Sequence, residues 1–163
     1  MSSSTGDDDD LLLERQFCFA LAAASRTVIS AYKPVLQEMN LTHPQYLVML
    51  ALWEKSPRSV KEIGEMLMLA PATLSPLLKR LEGAGYITRR REKVDERTLV
   101  VGLTPAGTAL RTRALGVPET MLQKLSLTRE QAAQLRDDMV RLTNIVQAGG
   151  PVPPNVGEAP DAG

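Results

Sequence analysis

The chain has 163 residues, of which 44% are apolar, and this is enough to form one domain with its own core. A single cysteine, Cys18, excludes an intramolecular disulfide, and a single histidine leaves too few ligands for a usual zinc site, so we expect no metal and no other cofactor. The net charge of zero argues against a general nucleic-acid coat protein, and no apolar run approaches the roughly 20 residues of a membrane span, so we expect a cytoplasmic protein with no membrane partner.

Both ends of the chain lack apolar periodicity. Residues 1–10 are acidic and residues 148–163 are rich in proline and glycine, which predicts two disordered tails around a folded part at 11–147. The first helix is predicted over residues 11–39, and it carries apolar side chains on more than one face. Such a helix requires more than one packing partner.

Three further helix starts are marked by capping boxes, in which a hydroxyl and a Gln or Glu three residues later satisfy free backbone N–H groups. They predict helices over residues 44–54, 60–67 and 129–147, and Pro71 suits the first turn of another helix over 72–82. Short helices in this succession are typical of a helix-turn-helix unit. The boxes are Thr42 with Gln45, Ser59 with Glu62, and Thr128 with Gln131.

The apolar period changes from 3.6 to 2 beyond the fourth helix. Residues 86–91 and 98–103 are predicted as two strands joined by the polar turn 92–97, which makes a hairpin with a charged tip. A helix interrupted near Gly116 is then predicted over residues 105–124, before the last helix.

Together these elements predict a mainly α-helical fold with a small β-hairpin wing, which is a winged helix-turn-helix. One helix of such a unit fits the major groove of double-stranded DNA, and a thin hairpin reaches the minor groove. We therefore expect residues 44–103 to bind DNA. The helices at 11–39 and 105–147 carry more apolar surface than a small domain covers, which predicts a homodimer on an inverted-repeat operator.

Positive charge is concentrated around the predicted wing. Residues 79–97 hold seven basic and four acidic side chains in an otherwise neutral protein. Charge alone does not distinguish a DNA-binding patch from a solvated surface. Position on the fourth helix and the hairpin gives the candidates for DNA contacts, which are Thr73, Ser75, Lys79, Arg80, Arg89, Lys93, Asp95 and Arg97.

Two motifs of the wing resemble the MarR family of transcriptional regulators. They are Asp95-Glu96-Arg97 and Leu103-Thr104-Pro105-Ala106-Gly107, which match the DxR element and the L-T-x-x-G exit of that family's wing. The resemblance implies that Arg97 enters the minor groove and that Asp95 orients it through a charge-assisted hydrogen bond. The alternative is a surface ion pair on a turn.

A narrower resemblance, to the organic-hydroperoxide-sensing OhrR branch of that family, covers about residues 11–146. It implies that Cys18 is the peroxidatic cysteine and that Tyr32 of the other subunit donates a hydrogen bond to its sulfur. Without this likeness, a lone cysteine on an apolar helix is usually an inert core residue. The strings that carry it are Phe17-Cys18-Phe19-Ala20-Leu21, Ala31-Tyr32-Lys33-Pro34 and Pro44-Gln45-Tyr46-Leu47-Val48.

Helix geometry restricts how these residues meet. Cys18 and Tyr32 are 14 residues apart on one predicted helix, which is about 21 Å at 1.5 Å per residue, so a contact between them requires two subunits. His43 stands where the branch usually has a second sensing tyrosine. Either its ring donates to the sulfur, with a charge that changes near neutral pH, or it is only the residue after the Thr42 cap.

The sequence thus predicts a DNA-binding repressor that is not an enzyme. Oxidation of Cys18 by an organic hydroperoxide is expected to release DNA, and the sulfenic acid is expected to wait for an external low-molecular-weight thiol, because the chain has no second cysteine. A thiol peroxidase would need activating groups and a resolving partner around Cys18. The main alternative is a MarR-type repressor released by a small aromatic ligand, in which Cys18 is structural.

Overall fold

Helices alternate with three short strands along the chain, and the computed structural model describes residues 9–150. Two short 3-10 turns, Asp9–Leu11 and Leu13–Arg15, precede the first helix. The predicted mainly α-helical fold with a hairpin wing is confirmed. In chain order the elements are α1 (Phe17–Gln37), α2 (His43–Glu54), β1 (Arg58–Ser59), α3 (Val60–Leu67), α4 (Pro71–Gly83), β2 (Ile87–Arg91), β3 (Leu99–Leu103), α5 (Pro105–Ala114), α6 (Val117–Leu125) and α7 (Arg129–Ala148).

The first helix begins later than the sequence predicts. α1 starts at Phe17 rather than at residue 11, since Leu12 and Gln16 adopt extended backbone and neither side chain caps a helix. At the other end α7 continues to Ala148, one residue beyond the prediction. Most of the two predicted disordered tails, residues 1–8 and 151–163, lies outside the described residues.

All three predicted capping boxes are formed. The Thr42 hydroxyl accepts a hydrogen bond from the Gln45 backbone N–H at 3.4 Å, and the Gln45 side chain accepts one from the Thr42 N–H at 2.9 Å. The same reciprocal bonds join the other two pairs. Because each box satisfies two backbone donors, it fixes the first residue of α2, α3 or α7.

A third strand, not predicted from the sequence, extends the hairpin. The antiparallel strand order is β1-β3-β2, with Arg58 opposite Val101. Two residues are too few to show a period of 2, so the sequence carried no sign of β1. Arg58 is buried, and its Nε donates to the Ala51 carbonyl at 2.9 Å while its Nη2 lies 3.4 Å from Glu54. This side chain joins the end of α2 to the wing.

The winged-helix unit contributes most of the buried core, and α1, α5 and α6 add the rest. α4 contributes Leu74, Leu78 and Leu81, whose spacing of three and four residues places them on one helix face. The opposite face of α4 consequently points outwards. The largest fully buried side chains of the core are Leu36, Met49, Leu52, Ile63, Leu74, Leu78, Leu81, Ile87, Val48 and Val101.

The helix predicted over residues 105–124 is interrupted at Gly116, as expected. Before it, the hydroxyl of Thr104 caps α5 by accepting a hydrogen bond from the Gly107 N–H at 3.0 Å. Gly107 lies so close to the wing that a Cβ built on it would come within 2.0 Å of the Tyr86 carbonyl oxygen. The exit motif of the wing therefore positions α5 against β2 and β3.

The terminal helices leave apolar side chains uncovered. Every residue of α7 is exposed or half-buried, including Leu135 and Val140, and α1 exposes Phe17 and Ile29. Among residues 9–150, no helix has both the length and the apolar character that a membrane crossing requires. Uncovered apolar surface of this kind marks an interaction site.

Candidate DNA-binding face and redox site

The outward face of α4 carries most of the helical residues that we predicted to contact DNA. Ser75, Lys79 and Arg80 are exposed, whereas Thr73 is half-buried. Ser75 and Lys79 are four residues apart and lie on the same face, away from the core. Their hydroxyl and ammonium groups are free to approach a groove edge or a phosphate.

Asp95 shapes the tip of the wing. Its Oδ1 accepts a hydrogen bond from the Arg97 backbone N–H at 3.0 Å, and its Oδ2 accepts one from the Thr98 hydroxyl at 3.2 Å. The expected charge-assisted bond to the Arg97 guanidinium is replaced in this chain by these bonds, because a short carboxylate reaches nearby turn backbone easily. The side chains of Arg97 and Lys93 are exposed at the tip.

Arg89 points towards α4 in the single chain, and its contact with DNA stays a prediction. Its Nη2 and Nε lie 2.7 and 3.0 Å from Glu82 Oε2, and its backbone N–H donates to Glu82 Oε1 at 3.1 Å. These hydrogen bonds hold the pKa of Glu82 below its usual range. Arg89 and Glu82 form a clamp between the end of α4 and β2. The pair was not visible in the sequence, because the two residues belong to different elements.

Cys18 is the second residue of α1, and it is exposed. Phe17 and Phe19 beside it are exposed as well. In the single chain, Cys18 is therefore not an inert buried thiol. Tyr32 lies about four helical turns further along α1, so one chain does not bring the thiol and the phenol together.

Tyr32 and His43, by contrast, are in contact. Their ring centroids are 5.1 Å apart at an interplanar angle of 63°, which is an edge-to-face arrangement. Burial raises the pKa of Tyr32 and lowers the pKa of His43. At neutral pH the phenol keeps its proton and the imidazole is uncharged. His43 is also the first residue of α2 after the Thr42 cap, and a hydrogen bond from its ring to the sulfur stays a prediction.

Two further aromatic residues, for which the sequence predicts no role, extend the contact between Tyr32 and His43. Tyr46 lies 6.1 Å from Tyr32 and 6.4 Å from Trp53 between ring centroids. The Trp53 indole N–H donates to the Gly107 carbonyl at 2.9 Å. A row of aromatic rings thus runs from α1 along α2 to the start of α5. The spacing of Tyr46 and Trp53, two helical turns apart, was the available signal.

A cavity of about 370 Å³ opens beside Tyr32, between α1, α6 and α7. Apolar side chains such as Met121 and Leu125 line it, and Arg129 and Arg136 stand among its other lining residues. It offers apolar space next to the phenol. The exposed thiol, the phenol and imidazole pair and this cavity are the parts from which a peroxide-sensing site can be assembled.

Comparison with known proteins agrees with the fold. A family model described as the transcriptional regulator SarA/Rot matches residues 30–111. The organic hydroperoxide resistance transcriptional regulator of Bacillus subtilis is 42% identical to this chain, over 82% of this chain and 91% of the length of the relative. The HTH-type transcriptional regulator TtmR of Methylorubrum extorquens is 40% identical over 90% of this chain and 75% of its own.

Solved structures give the same answer. The structure of reduced AbfR bound to DNA has a TM-score of 0.71 and 30% identity, over 86% of this chain and 99% of that one. The crystal structure of AbfR of Staphylococcus epidermidis has a TM-score of 0.69 and 30% identity, over 88% of this chain and 99% of that one. The winged-helix fold, the wing motifs and these relatives lead to one conclusion: the chain belongs to the MarR family of winged-helix transcriptional regulators, in the branch of the organic hydroperoxide resistance regulators.

Proposed function

We propose that this regulator is a cytoplasmic homodimeric repressor that binds an inverted-repeat operator and senses organic hydroperoxides through Cys18. One observation carries the proposal. The thiol is exposed at the start of α1, while the phenol and imidazole suited to hold its sulfur stand in contact near the other end of the same helix. A second copy of the chain is needed to complete the site.

The uncovered terminal helices support a two-fold dimer. In such a dimer the same surface of each chain is used, so residue i of one chain contacts residue j of the other and the reverse also holds. Pairing of the α1 helices in opposite directions would bring Cys18 of each chain to Tyr32 and His43 of its partner. The exposed side chains of α1 and α7, such as Ile29 and Val140, would be buried in the same step.

The chemistry follows from these groups. The Cys18 thiolate attacks the terminal oxygen of the hydroperoxide, the O–O bond breaks, and the alkoxide leaves and takes up a proton to become an alcohol. The sulfur is oxidised to a sulfenic acid and the peroxide is reduced. The Tyr32 phenol, whose raised pKa keeps it protonated, donates a hydrogen bond to the thiolate, and the cavity beside it accommodates the organic group of the peroxide.

Oxidation is then coupled to release of the operator. The sulfenic acid has no second cysteine in the chain to react with, so it condenses with an external low-molecular-weight thiol to a mixed disulfide and water. The added bulk at Cys18 disturbs the packing of the dimer seam and changes the distance between the two α4 helices. Because each oxidised chain waits for an external reductant, the protein acts as a regulator rather than as a peroxidase.

A mobility shift tests binding and sensing together. The protein is mixed with DNA from upstream of its own coding region and a small thiol, with and without cumene hydroperoxide, and the same is done with C18S. We expect peroxide to release DNA from the wild type only, and reductant to restore binding. Mass spectrometry after addition of a small thiol should detect one adduct per chain, at Cys18.

A second cavity, of about 290 Å³, lies beside Tyr46, Trp53 and Arg111. It supports the alternative function, in which a small aromatic ligand releases the repressor from DNA. The same experiment separates the two functions. Release of DNA from the wild type while Cys18 remains a free thiol would replace the redox proposal with the ligand-binding one.

A further inference from the structure

The outward face of α4 is poor in hydrogen-bonding groups. Four exposed residues of α4 follow one another at spacings of three, one and three residues. They are Ala72, Ser75, Pro76 and Lys79. They form one stripe opposite the buried leucines of the helix. In the first two turns of this stripe, only Ser75 has a polar side chain.

Pro76 is an unfavourable residue at its position. It is the sixth residue of α4, beyond the first turn in which proline is tolerated, and it removes a helical N–H donor. Its ring is exposed and adds nothing to the core. A residue that weakens its own helix without a packing role is expected where the surface has a function.

The chemistry of the major groove limits what these side chains can recognise. The methyl group of Ala72 and the ring of Pro76 neither donate nor accept hydrogen bonds. Among the base-edge groups of the major groove, the thymine C5-methyl is the apolar one. The first residues of a recognition helix are those that reach base edges.

We propose that Ala72 and Pro76 read thymine methyl groups in the operator half-site. The assignment rests on the proposed DNA-binding function, and it adds the base that this surface selects. Lys79 lies one turn further along the same stripe and contacts the phosphate backbone, which positions the helix without selecting a base. Burial of one methyl group corresponds to about a fourfold change in a binding constant.

The test begins with a duplex chosen by the protein itself. The full-length chain selects its preferred sequence from a pool of random 30-base-pair duplexes, and each thymine of that duplex is then replaced by deoxyuridine in both half-sites. This exchange removes only the methyl group. We expect uracil at one or two positions per half-site to weaken binding about fourfold per methyl, measured by fluorescence anisotropy at fixed salt.

Variants assign the effect to the two side chains. P76A and A72G should each bind the thymine and uracil duplexes equally at one of these positions, and P76A forms a better helix, so loss of folding does not explain its result. K79A is the matched control, because it should weaken binding to every duplex and keep the uracil effect.

The outcomes are distinct. Three results would each overturn this proposal while the DNA-binding function stands. The selected duplex could lack thymine in its half-sites, or thymine and uracil could bind equally at every position. The third result is a uracil effect that persists undiminished in the variant with both A72G and P76A. Failure to enrich any sequence would overturn both.

Discussion

At the scale of single residues, Asp95 acts on the wing backbone. Its carboxylate binds the Arg97 N–H and the Thr98 hydroxyl, so it determines where the Arg97 side chain leaves the turn. The wing tip therefore depends on an acidic residue even though DNA repels negative charge. Its contribution to binding should act through Arg97.

We expect D95A to weaken DNA binding by about tenfold, comparable to the loss of one hydrogen bond to a charged group, and D95N to bind nearly as the wild type because its amide oxygen still accepts from the Arg97 N–H. Titration of the operator at fixed salt measures both. In the R97A background D95A should have little further effect, since both residues then act through one contact. Additive losses would show that Asp95 contributes independently of Arg97.

His43 makes stability depend on pH. Burial lowers its pKa in the folded protein, so protonation is easier in the unfolded chain, whose histidine titrates near about pH 6.5. The stability that the neutral ring contributes is thus present above about pH 6.5 and is lost as the pH falls through the folded pKa. Urea unfolding at pH 7.5 and 5.5, at one protein concentration, should show a larger loss for the wild type than for H43Y.

H43Y is the matched variant because it keeps an aromatic ring against Tyr32 and removes the titrating group. Carboxylates titrate in both proteins, so the difference between the two pH dependences isolates the histidine. An identical loss for both proteins would show that the His43 ring is solvated in both protonation states.

At the scale of elements, the Arg89–Glu82 clamp sets the wing against α4. Both side chains are partly exposed, so the pair should matter little for stability and more for the angle of the wing. We expect R89A and E82A to weaken operator binding to a similar extent, and the double variant to bind no worse than either single variant. The measurement is a double-mutant cycle of operator affinity.

The opposite result would place the Arg89 guanidinium at the DNA interface, as the sequence predicts. If its guanidinium binds phosphate, R89A should weaken binding more than E82A, and E82A should strengthen binding by freeing the cation. The slope of affinity against salt concentration should then also fall for R89A, by about one.

Gly107 shows how closely α5 and the wing are packed. A methyl group at this position would meet the Tyr86 carbonyl oxygen at 2.0 Å, and this neighbour is backbone that cannot rotate away. We expect G107A to destabilise the protein by about 3 kcal/mol, at the upper end of overpacking effects. G83A is the control, because nothing lies within 4 Å of its added methyl group. Urea unfolding of both variants decides, and equal stabilities would show that the wing and α5 adjust freely.

Local signals account for the elements that were predicted correctly. Capping boxes located α2, α3 and α7, and the change of period located the hairpin. The start of α1 was missed because the apolar residues before Phe17 suggested a continuous helix, whereas no capping side chain supports one there. The aromatic row and the Arg89–Glu82 clamp join residues of different elements, and such pairings depend on the tertiary fold.

At the scale of the whole molecule, the proposed sensing site is incomplete in a single chain. Cys18 and Tyr32 lie on one rigid helix, so chain flexibility does not bring them together. The apolar faces of α1 and α7 that would form the dimer interface would also bring Cys18 of one chain to Tyr32 of the other. In the proposed homodimer, dimerisation and sensing are therefore one structural property.

Mixed dimers test whether the sensing site is shared between chains. C18S lacks the thiol, and Y32F lacks only the phenol hydroxyl. A dimer of one C18S and one Y32F chain holds one complete pair, the thiol of the Y32F chain facing Tyr32 of the C18S chain. We expect cumene hydroperoxide to oxidise this thiol at least about tenfold faster than the thiol of the Y32F homodimer. The reason is that the hydrogen bond from the phenol to the thiolate is charge-assisted and stabilises the reactive form.

The two proteins are mixed and allowed to exchange subunits, and the mixed dimer is isolated through an affinity tag on the C18S chain. The rate is followed by trapping the sulfenic acid, which only the Y32F chain can form because the C18S chain has no cysteine. A mixture of Y32F and C18S/Y32F chains is the matched control, since it contains no Tyr32 phenol and its thiol should react at the rate of the Y32F homodimer. Equal rates in the mixed dimer and the Y32F homodimer would mean that the phenol of the other chain does not reach Cys18. The two-fold seam between antiparallel α1 helices would then have to be replaced by a different arrangement of the subunits.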